Sequence, residues 1–315
     1  AFSQLGQPDS ASKYYRLGLA LARAINEQRL EAGIMGNFGL TLAQVGRLDS
    51  AISYEKQAVS RFRDIGDRPM QAWFTDAIGY NYRELGKLDS AFAYFSQSLT
   101  LATESGDKEK RGWALSNIGL LEREVGRPDD ALSHCTAAIA DLHQAGSAPG
   151  EAQGEYCLGH TYLELSRANI ALPHFLSALS LDRKAADRNR EAWDLLGIGM
   201  TLRDLGNRDS ALAYMAQALR LVTTSQDRHP EAAVHFEVGR LFLEFGLPDS
   251  ALTVLQRARL LARTGGFELT EGTALAEIAR AERDRGRFDS ALAAAREALP
   301  ILRRLNSPLE ESRAL

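Results

Sequence analysis

Apolar residues recur along the chain with the period of an α-helix. In QAWFTDAIGYNYREL (71–85) they fall near i, i+3 or i+4, and i+7, and the same spacing returns in DSAFAYFSQSLTLATES (89–105). No stretch alternates apolar and polar residues between turn signals, as a half-buried strand would. The pattern therefore predicts an all-α protein of short helices joined by tight turns.

The helical pattern repeats every 40 residues without an insertion or deletion. A glycine ends one helical stretch in all copies but one, and five residues later an alanine stands in every copy. The glycines are Gly6, Gly46, Gly86, Gly126, Gly206, Gly246 and Gly286, with Ser166 in the remaining copy. Such self-similarity indicates a repeat protein in which each unit packs mainly on its neighbours.

The residue types at the turn inside each repeat predict where the first helix ends and the second begins. Gly86 suits the left-handed position that ends a helix, and Asp89 suits an N-cap that accepts a backbone N–H of the next helix. Gly79 and Ala91 are small, which lets the two helices approach closely. We therefore expect Asp89 and its equivalents to cap the second helix of each pair, with looser connectors such as GDRP (66–69) between pairs.

One copy departs from the others, in the stretch LSRANIALP (165–173). Ser166 replaces the turn glycine, at a cost of roughly 1 kcal/mol if the left-handed conformation is kept. If Asn169 is the N-cap, Pro173 removes an early amide, and the second helix is predicted to begin one residue later. The sequence of this copy predicts that the fourth helix pair is locally less stable than the others.

Residues 72–99 carry a family resemblance, through Ala72, Ile78, Gly79, Tyr82, Gly86, Ala91, Phe95, Ser98 and Leu99. The pattern resembles the tetratricopeptide repeat, whose usual length is about 34 residues. The longer unit is similar to those of Pins/LGN-type scaffolds and of bacterial regulatory arrays. The resemblance implies an α-solenoid of antiparallel helix pairs, with about seven full repeats and partial terminal units, in a right-handed superhelix whose first helices line the concave side.

The repeat also sets the expected domain organisation. We expect one solenoid over 1–315, forming a fragment of a larger protein. Its parts are a partial unit (1–30), repeats at about 31–70, 71–110, 111–150, 151–190, 191–230, 231–270 and 271–310, and the start of a further helix (311–315).

Composition excludes several classes of partner. The 315 residues are 45% hydrophobic and 25% charged with a formal net charge of −4, which is globular rather than disordered. A basic stripe for nucleic acid is missing, and no apolar run approaches the roughly 18 residues of a membrane span. Cys135 and Cys157 make no disulfide framework, so we predict a reducing, cytoplasmic compartment with Cys135 as a core thiol.

The sequence offers little chemistry. Cys157 and His160 have a metal-like spacing, but a zinc site needs a second pair. The glycines of GIMGNFG (33–39) neither follow a strand nor open a helix, so they are not a phosphate loop. No nucleophile motif stands in a recognisable context. We predict a protein that is not an enzyme and needs no cofactor or metal.

The candidate site is therefore a surface, and the family resemblance places it on the first helices. Positions are counted from the small residue that opens each first helix, which makes Ala72 position 1 of its unit. The tryptophans Trp73, Trp113 and Trp193 all stand at position 2, where the fourth repeat has Gln153. They either anchor a partner or fill the wedge between neighbouring units, and the sequence leaves both interpretations open.

Polar residues at positions 5, 6, 9 and 12 complete the candidate site. Amides at position 6 can donate and accept at once, which suits a peptide backbone. The arginine rows form either a peptide-gripping surface or a solvated, self-neutralised face. The predicted residues are Asp76 at position 5, Asn37 and Asn117 at position 6, Tyr80, His160 and Arg240 at position 9, and Arg83, Arg123 and Arg203 at position 12.

Together these features predict a protein-interaction module that binds a peptide or protein segment along its first helices, monomeric in this region. The alternative is a regulatory or autoinhibitory sensor region of a larger bacterial effector, such as a caspase-like CHAT protease or a signalling regulator, with the effector domain in the same polypeptide as its partner.

Overall fold

A computed structural model describes residues 8–224 and 228–305, and these residues form fifteen α-helices and no strand. The all-α prediction is confirmed. The helices are α1 (Pro8–Ala24), α2 (Gln28–Gln44), α3 (Leu48–Asp64), α4 (Arg68–Glu84), α5 (Leu88–Ser105), α6 (Lys108–Glu124), α7 (Pro128–Ala145), α8 (Ala148–Glu164), α9 (Ala168–Ala185), α10 (Arg188–Asp204), α11 (Arg208–Thr223), α12 (Arg228–Glu244), α13 (Pro248–Gly265), α14 (Glu268–Asp284) and α15 (Phe288–Arg304).

The helices alternate between the two kinds that the repeat predicts. The even-numbered helices from α2 to α14 are the first helices of the units, and the odd-numbered helices are the second helices. A side chain on Gly79 of α4 would come within 2.7 Å of Phe95 on α5, and Ala91 is fully buried. Gly159 stands in the same relation to Phe175, 2.8 Å away. The small residues thus permit the close contact within each pair, as predicted.

The turns confirm the glycine prediction and correct the cap prediction. Gly86 has φ 69°, and the Lys87 amide donates to the Tyr82 carbonyl oxygen over 2.9 Å, which satisfies a carbonyl at the end of α4. Because the left-handed residue turns the chain at once, α5 already begins at Leu88 and its N-cap is Lys87, which makes no side-chain cap bond. Asp89 is thus not the cap; it lies in the first turn, where its charge still favours the positive helix end.

Three of the described side-chain caps lie instead in the connectors between pairs, while Asn207, which accepts from the Ser210 amide over 3.3 Å, caps α11 within a pair. Asp67 accepts from the Met70 amide over 3.2 Å, Asp107 from Lys110 over 3.0 Å, and Asp187 from Arg190 over 3.1 Å. These aspartates are the N-cap residues of α4, α6 and α10. The Gly-Asp step of the connector at 66–69, predicted to be loose, is therefore a helix start signal, and so is its equivalent at 106–107.

The fourth pair keeps the common backbone path in spite of its sequence. Ser166 has φ 55°, so it takes the left-handed conformation without a glycine, and Ala186 does the same with φ 56° at the far end of α9. The prediction of a later helix start is wrong: α9 begins at Ala168, in register with the other second helices, and Pro173 lies inside it. Packing in this pair therefore overrides local preference at three positions.

The chain divides into two compact units. The N-terminal unit is Ala1–Ala43 with Arg47–Tyr214, and the C-terminal unit is Gln44–Gly46 with Met215–Leu315. None of the described helices is long and apolar enough to cross a membrane. The candidate residues lie mostly on the first helices of the N-terminal unit.

Candidate functional site

Neighbouring first helices in the N-terminal unit contact one another through polar side chains. Asn117 of α6 donates from Nδ2 to Asp76 Oδ2 of α4 over 2.8 Å. On the same two helices, Arg83 Nε lies 2.9 and 3.2 Å from the two Glu124 carboxylate oxygens, and its Nη2 bonds one of them. These contacts join residues 41 positions apart, so α4 and α6 present one continuous surface.

The next contact extends this surface to α8. Cys157 Sγ of α8 lies 3.5 Å from the Ser116 carbonyl oxygen of α6. The His160 ring meets Tyr156 and Phe175 edge-on, with centroid separations of 4.4 and 5.0 Å. Three consecutive first helices therefore contribute to one face.

Four polar side-chain atoms on this face are buried without a hydrogen-bond partner among the described residues. They are Asp76 Oδ1 on α4, Ser116 Oγ and Arg123 Nε on α6, and His160 Nε2 on α8. We call these four residues the polar row. A buried polar group without a partner costs about 1–3 kcal/mol, which makes such groups candidates for ligand contact.

Burial shapes the electrostatics of the polar row. It raises the pKa of Asp76 to about 7, although the bond from Asn117 pulls the other way. For His160, burial lowers the pKa well below its usual value, and the positive charges of Arg123 and Arg83 add to this effect. At neutral pH the row thus contains a carboxyl whose pKa is raised to about 7, a neutral imidazole, a hydroxyl and a guanidinium.

The tryptophans lie in partly buried positions that favour the wedge interpretation. Trp73 packs against a core cluster that includes Phe62 and Phe74, and Lys110 Nζ lies over its ring, 5.1 Å from the centroid. Trp113 packs against Leu115, Ala138 and Leu142.

A cation from a later first helix also covers the second tryptophan. The Arg190 guanidinium lies 5.1 Å from the Trp113 ring centroid, and its Nη2 donates to Gln153 Oε1. In the repeat that lacks the tryptophan, Gln153 thus holds the arginine that covers the tryptophan before it. This arrangement supports the interpretation that Trp113 packs between neighbouring repeats and does not lie open to anchor a partner.

The remaining predicted residues are not all brought together. Asn37 is exposed on α2, Tyr80 is 43% exposed on α4, and Trp193 is half-buried on α10. Arg203 Nη2 lies 2.7 Å from Asp204 Oδ1. Arg240 belongs to the C-terminal unit, where it contacts Glu237. Of the two asparagines, Asn117 is thus already engaged by Asp76, and an asparagine ladder is not formed.

First helices of the C-terminal unit satisfy their own polar residues. Glu237 pairs with Arg240 on α12 at 3.1 Å, and Glu277 pairs with Arg280 on α14 at 3.4 Å. His235 Nδ1 lies 2.8 Å from the Glu231 carbonyl oxygen. All described buried side-chain atoms that lack a partner lie in the N-terminal unit.

Sequence reasoning missed Ser116 and the role of Glu124. Ser116 stands at position 5, the same position as Asp76, so a complete reading of that position would have found it. Glu124 determines which of the two arginines has a hydrogen-bond partner. It accepts from Arg83, and Arg123 Nε is left without a hydrogen bond. That choice depends on the geometry between helices and has no local sequence signal.

The cysteines correct the sequence analysis. Cys135 on α7 and Cys157 on α8 form a disulfide with a Cα–Cα distance of 5.7 Å, so Cys135 is not a free core thiol. The residue is fully buried, as expected for a position that holds Phe95 or Phe175 elsewhere. Because the pair is bonded, the two cysteines no longer support a reducing compartment.

Within 8–224 and 228–305, no three His, Cys, Asp or Glu side chains are grouped so that they could hold a metal ion. Cys157 and His160, the one metal-like pair in the sequence, are engaged by the disulfide and by aromatic rings respectively.

Comparison with known families identifies the family of repeats to which the chain belongs. The tetratricopeptide repeat family matches residues 71–141 and 150–224, and further matches to the same repeat cover 196–266 and 272–308. These matches span more than half of the chain, which therefore belongs to the tetratricopeptide repeat family. No curated protein matches it.

Solved structures share the fold at low sequence identity. A Rap protein complexed with competence and sporulation factor is 18% identical, with a TM-score of 0.70 over 88% of this chain and 76% of that chain. The Rap conjugation gene regulator of plasmid pLS20, solved with the Phr* peptide, is 13% identical, with a TM-score of 0.65 over 87% and 75%. The quorum sensor NprR from B. thuringiensis in its apo form is 13% identical, with a TM-score of 0.61 over 90% and 80%.

Proposed function

We propose that this protein binds an extended peptide segment along the polar row of the N-terminal unit. The observation that carries the proposal is the set of four buried polar atoms without a partner on α4, α6 and α8. A peptide backbone supplies alternating N–H and C=O groups, and these could pair with the partly exposed side chains of Asp76, Arg123 and His160 once these turn toward it, whereas Ser116 is fully buried.

The dimensions of the row suit a short peptide. Packed helices lie about 8–10 Å apart, so two steps from α4 to α8 span about 16–20 Å. An extended chain covers about 3.3 Å per residue, and the row therefore matches about five or six residues. Two proteins of similar fold, a Rap protein and a Rap conjugation regulator, were solved with competence and sporulation factor and with the Phr* peptide. Those ligands belong to those proteins and support only the class of partner proposed here.

The same proposal extends to the class of protein, its oligomeric state and its partners. We propose a non-enzymatic binding module that acts as a monomer in this region, with neither nucleic acid nor membrane as its partner. The cytoplasmic location and the organisation as a single solenoid over 1–315 stay predictions.

Selection from a random hexapeptide display library tests the proposal. We expect enriched peptides whose affinity for the full chain falls at least about tenfold when Arg123→Gln and His160→Gln are combined, since each change removes one polar contact. The matched control combines Glu237→Gln with Arg240→Gln on α12, whose side chains satisfy each other.

Failure of the library to enrich any peptide would contradict the proposal. So would enriched peptides that lose affinity in the α12 control and keep it in the polar-row variant. Thermal unfolding of both variants checks that each remains folded.

A further inference from the structure

Two buried aspartates on neighbouring helices of the N-terminal unit lie against each other. Asp182 is in the last turn of α9 and Asp194 is in the second turn of α10, with exposed fractions of 2% and 1%. Their carboxyl groups hydrogen-bond each other. No N–H or hydroxyl of the described residues donates to Asp182 Oδ1 or Asp194 Oδ2. Because a carboxylate only accepts, a hydrogen bond between the two groups requires a proton on one of them.

The two aspartates replace apolar residues of the repeat. In the first of the corresponding contacts, Phe62 and Phe74 stack with a centroid separation of 5.6 Å. Burying two carboxyls at these positions costs stability that an apolar contact would not. The position of Asp182 holds Ala22, Phe62, Ala102, Leu142, Val222, Ala262 and Leu302 in other repeats, and that of Asp194 holds Ile34, Phe74, Ala114, Gly154, Val234 and Ala274.

One cation stands beside the pair among several negative charges. Arg190 Nε lies 3.6 Å from Asp182 Oδ2. The charges of Asp187 and Glu191 act on the pair from the connector and from the first turn of α10. Burial first, and the charge of Asp182 second, raise the pKa of Asp194 to about 9. At neutral pH the two carboxyls therefore share one proton, and their single negative charge is matched by the arginine.

Arg190 also connects the pair to two earlier first helices. Its Nη2 donates to Gln153 Oε1 on α8, and its guanidinium lies 5.1 Å from the centroid of the Trp113 ring on α6. Gly150 stands at the repeat position of Arg190 in the fourth repeat, so α8 presents no side chain there and the arginine reaches past it. The cover of Trp113 thus depends on a side chain whose charge partner is the aspartate pair.

We propose that Asp182, Asp194 and Arg190 form a proton-dependent clasp, in which loss of the shared proton draws the guanidinium off the Trp113 ring. Two adjacent buried carboxylates repel each other, and a cation that moves between them relieves this repulsion. In a dry site the attraction between full charges exceeds that between a cation and an aromatic face. The clasp is therefore closed at neutral pH and opens as the pH rises, which leaves Trp113 uncovered.

Acrylamide quenching of tryptophan fluorescence tests the clasp. Trp73→Phe and Trp193→Phe together leave Trp113 as the one tryptophan of the chain. We expect its quenching constant to rise at least about twofold between about pH 7 and about pH 10, as the pair loses its proton. An unchanged constant would overturn the proposal.

Two variants in the same background assign the rise to the pair. Asp194→Asn should hold the quenching constant within about 1.3-fold, because its amide donates to Asp182 at every pH. Asp141→Asn is the matched control: this aspartate is also buried in the N-terminal unit, but it accepts directly from Arg111. It should keep the rise. Tyrosines that ionise near pH 10 are the same in all three chains. A rise in Asp194→Asn, or its loss in Asp141→Asn, would contradict the clasp.

Urea unfolding with all three tryptophans present tests the shared proton separately, and decides the question if the fluorescence background does not fold. The folded chain binds this proton more tightly than the unfolded chain, so stability falls as pH rises between the two pKa values. Between about pH 7.5 and about pH 8.5, the unfolding constant should rise up to about tenfold in the unmodified chain and less than about twofold in Asp194→Asn. Glu55 and Asp76, whose pKa burial raises to about 7, contribute little in this window. Equal pH dependence of the two chains would overturn the shared proton and the clasp with it.

Discussion

The first helices of the two compact units carry polar residues at corresponding repeat positions, but these residues have different partners in the two units. In the C-terminal unit, position 6 holds a glutamate and position 9 an arginine, so each helix pairs its own charges, as in Glu237 with Arg240. In the N-terminal unit, position 6 holds Asn37, Ala77, Asn117, Cys157 and Gly197, so no carboxylate stands at this position.

The buried histidines show the same difference at single-residue level. Burial lowers the pKa of both His160 and His235. His235 Nδ1 contacts the Glu231 carbonyl oxygen, whereas His160 Nε2 contacts no polar atom of the described chain. Among the described residues of the C-terminal unit, no buried side-chain nitrogen or oxygen atom lacks a hydrogen-bond partner. The polar row therefore costs stability that the C-terminal unit avoids, and so do Glu55, Asp182 and Asp194 elsewhere in the N-terminal unit.

The largest expected difference between the units comes from the disulfide, because both cysteines lie in the N-terminal unit. The bond closes a sequence separation of 22 residues, and its reduction should destabilise this unit by about 3 kcal/mol. Hydrogen exchange with and without reductant should show faster exchange in α7 and α8 and no change in α12 and α13. Two titratable thiols in native protein prepared without reductant would contradict the bond.

The pH dependence of Asp76 should be nearly as large. Its pKa is raised from 3.8 to about 7, so the folded state binds more protons than the unfolded state in this window. Stability from this group therefore falls as pH rises from about 4 to about 7, by on the order of 3 kcal/mol between about pH 5 and pH 8. Asp76→Asn should remove this loss.

Urea unfolding of Asp76→Asn and the unmodified chain at the two pH values measures the effect. The variant should gain stability relative to the unmodified chain at the higher pH and gain little at the lower one. Asp49→Asn serves as the control, since that exposed first-turn residue should show no such gain. An equal effect of Asp76→Asn at both pH values would mean that the carboxyl is not buried as described.

Removing single polar groups should change the free energy of unfolding in opposite directions in the two units. Ser116→Ala deletes an unpartnered buried hydroxyl and should stabilise the fold by about 1 kcal/mol. Glu277→Gln removes the negative charge that pairs with Arg280 and should destabilise the fold by about 0.5 kcal/mol. Urea midpoints measure both changes. Destabilisation by both variants would remove the contrast between the units.

The smallest effect concerns the helix ends of the fourth pair. Ser166 and Ala186 flank α9 in the left-handed conformation, whereas Gly246 and Gly266 flank α13. Ser166→Gly and Ala186→Gly should each stabilise by about 0.5–1 kcal/mol, and Gly246→Ala should destabilise by a similar amount.

Hydrogen exchange gives a second measure of the same contrast. We expect amides in 152–180 to exchange faster than those in 232–262, and the two glycine substitutions to narrow the gap. Equal exchange in the unmodified chain would mean that neither left-handed residue weakens the fourth pair.

The sequence by itself determined the helices, their 40-residue register and the family. Helix period, the left-handed glycine at Gly86 and the small residues Gly79 and Ala91 act over a few residues, so their consequences are readable locally. The cap at Asp89 was misjudged by two residues for a local reason, namely that the glycine turns the chain faster than expected.

Only the tertiary structure decided which candidate residues are free to bind. Arg83 and Arg123 have the same repeat position, yet Glu124 satisfies the first and Glu164 does not reach the second. Asn117 is occupied by Asp76, and Cys135 meets Cys157 across two helices. These outcomes depend on distances between side chains that are about 20 to 40 residues apart, and hydrogen bonds weaken steeply with distance and angle. A repeat pattern fixes which residues share a face, while the packing of particular side chains fixes which of them remain unsatisfied.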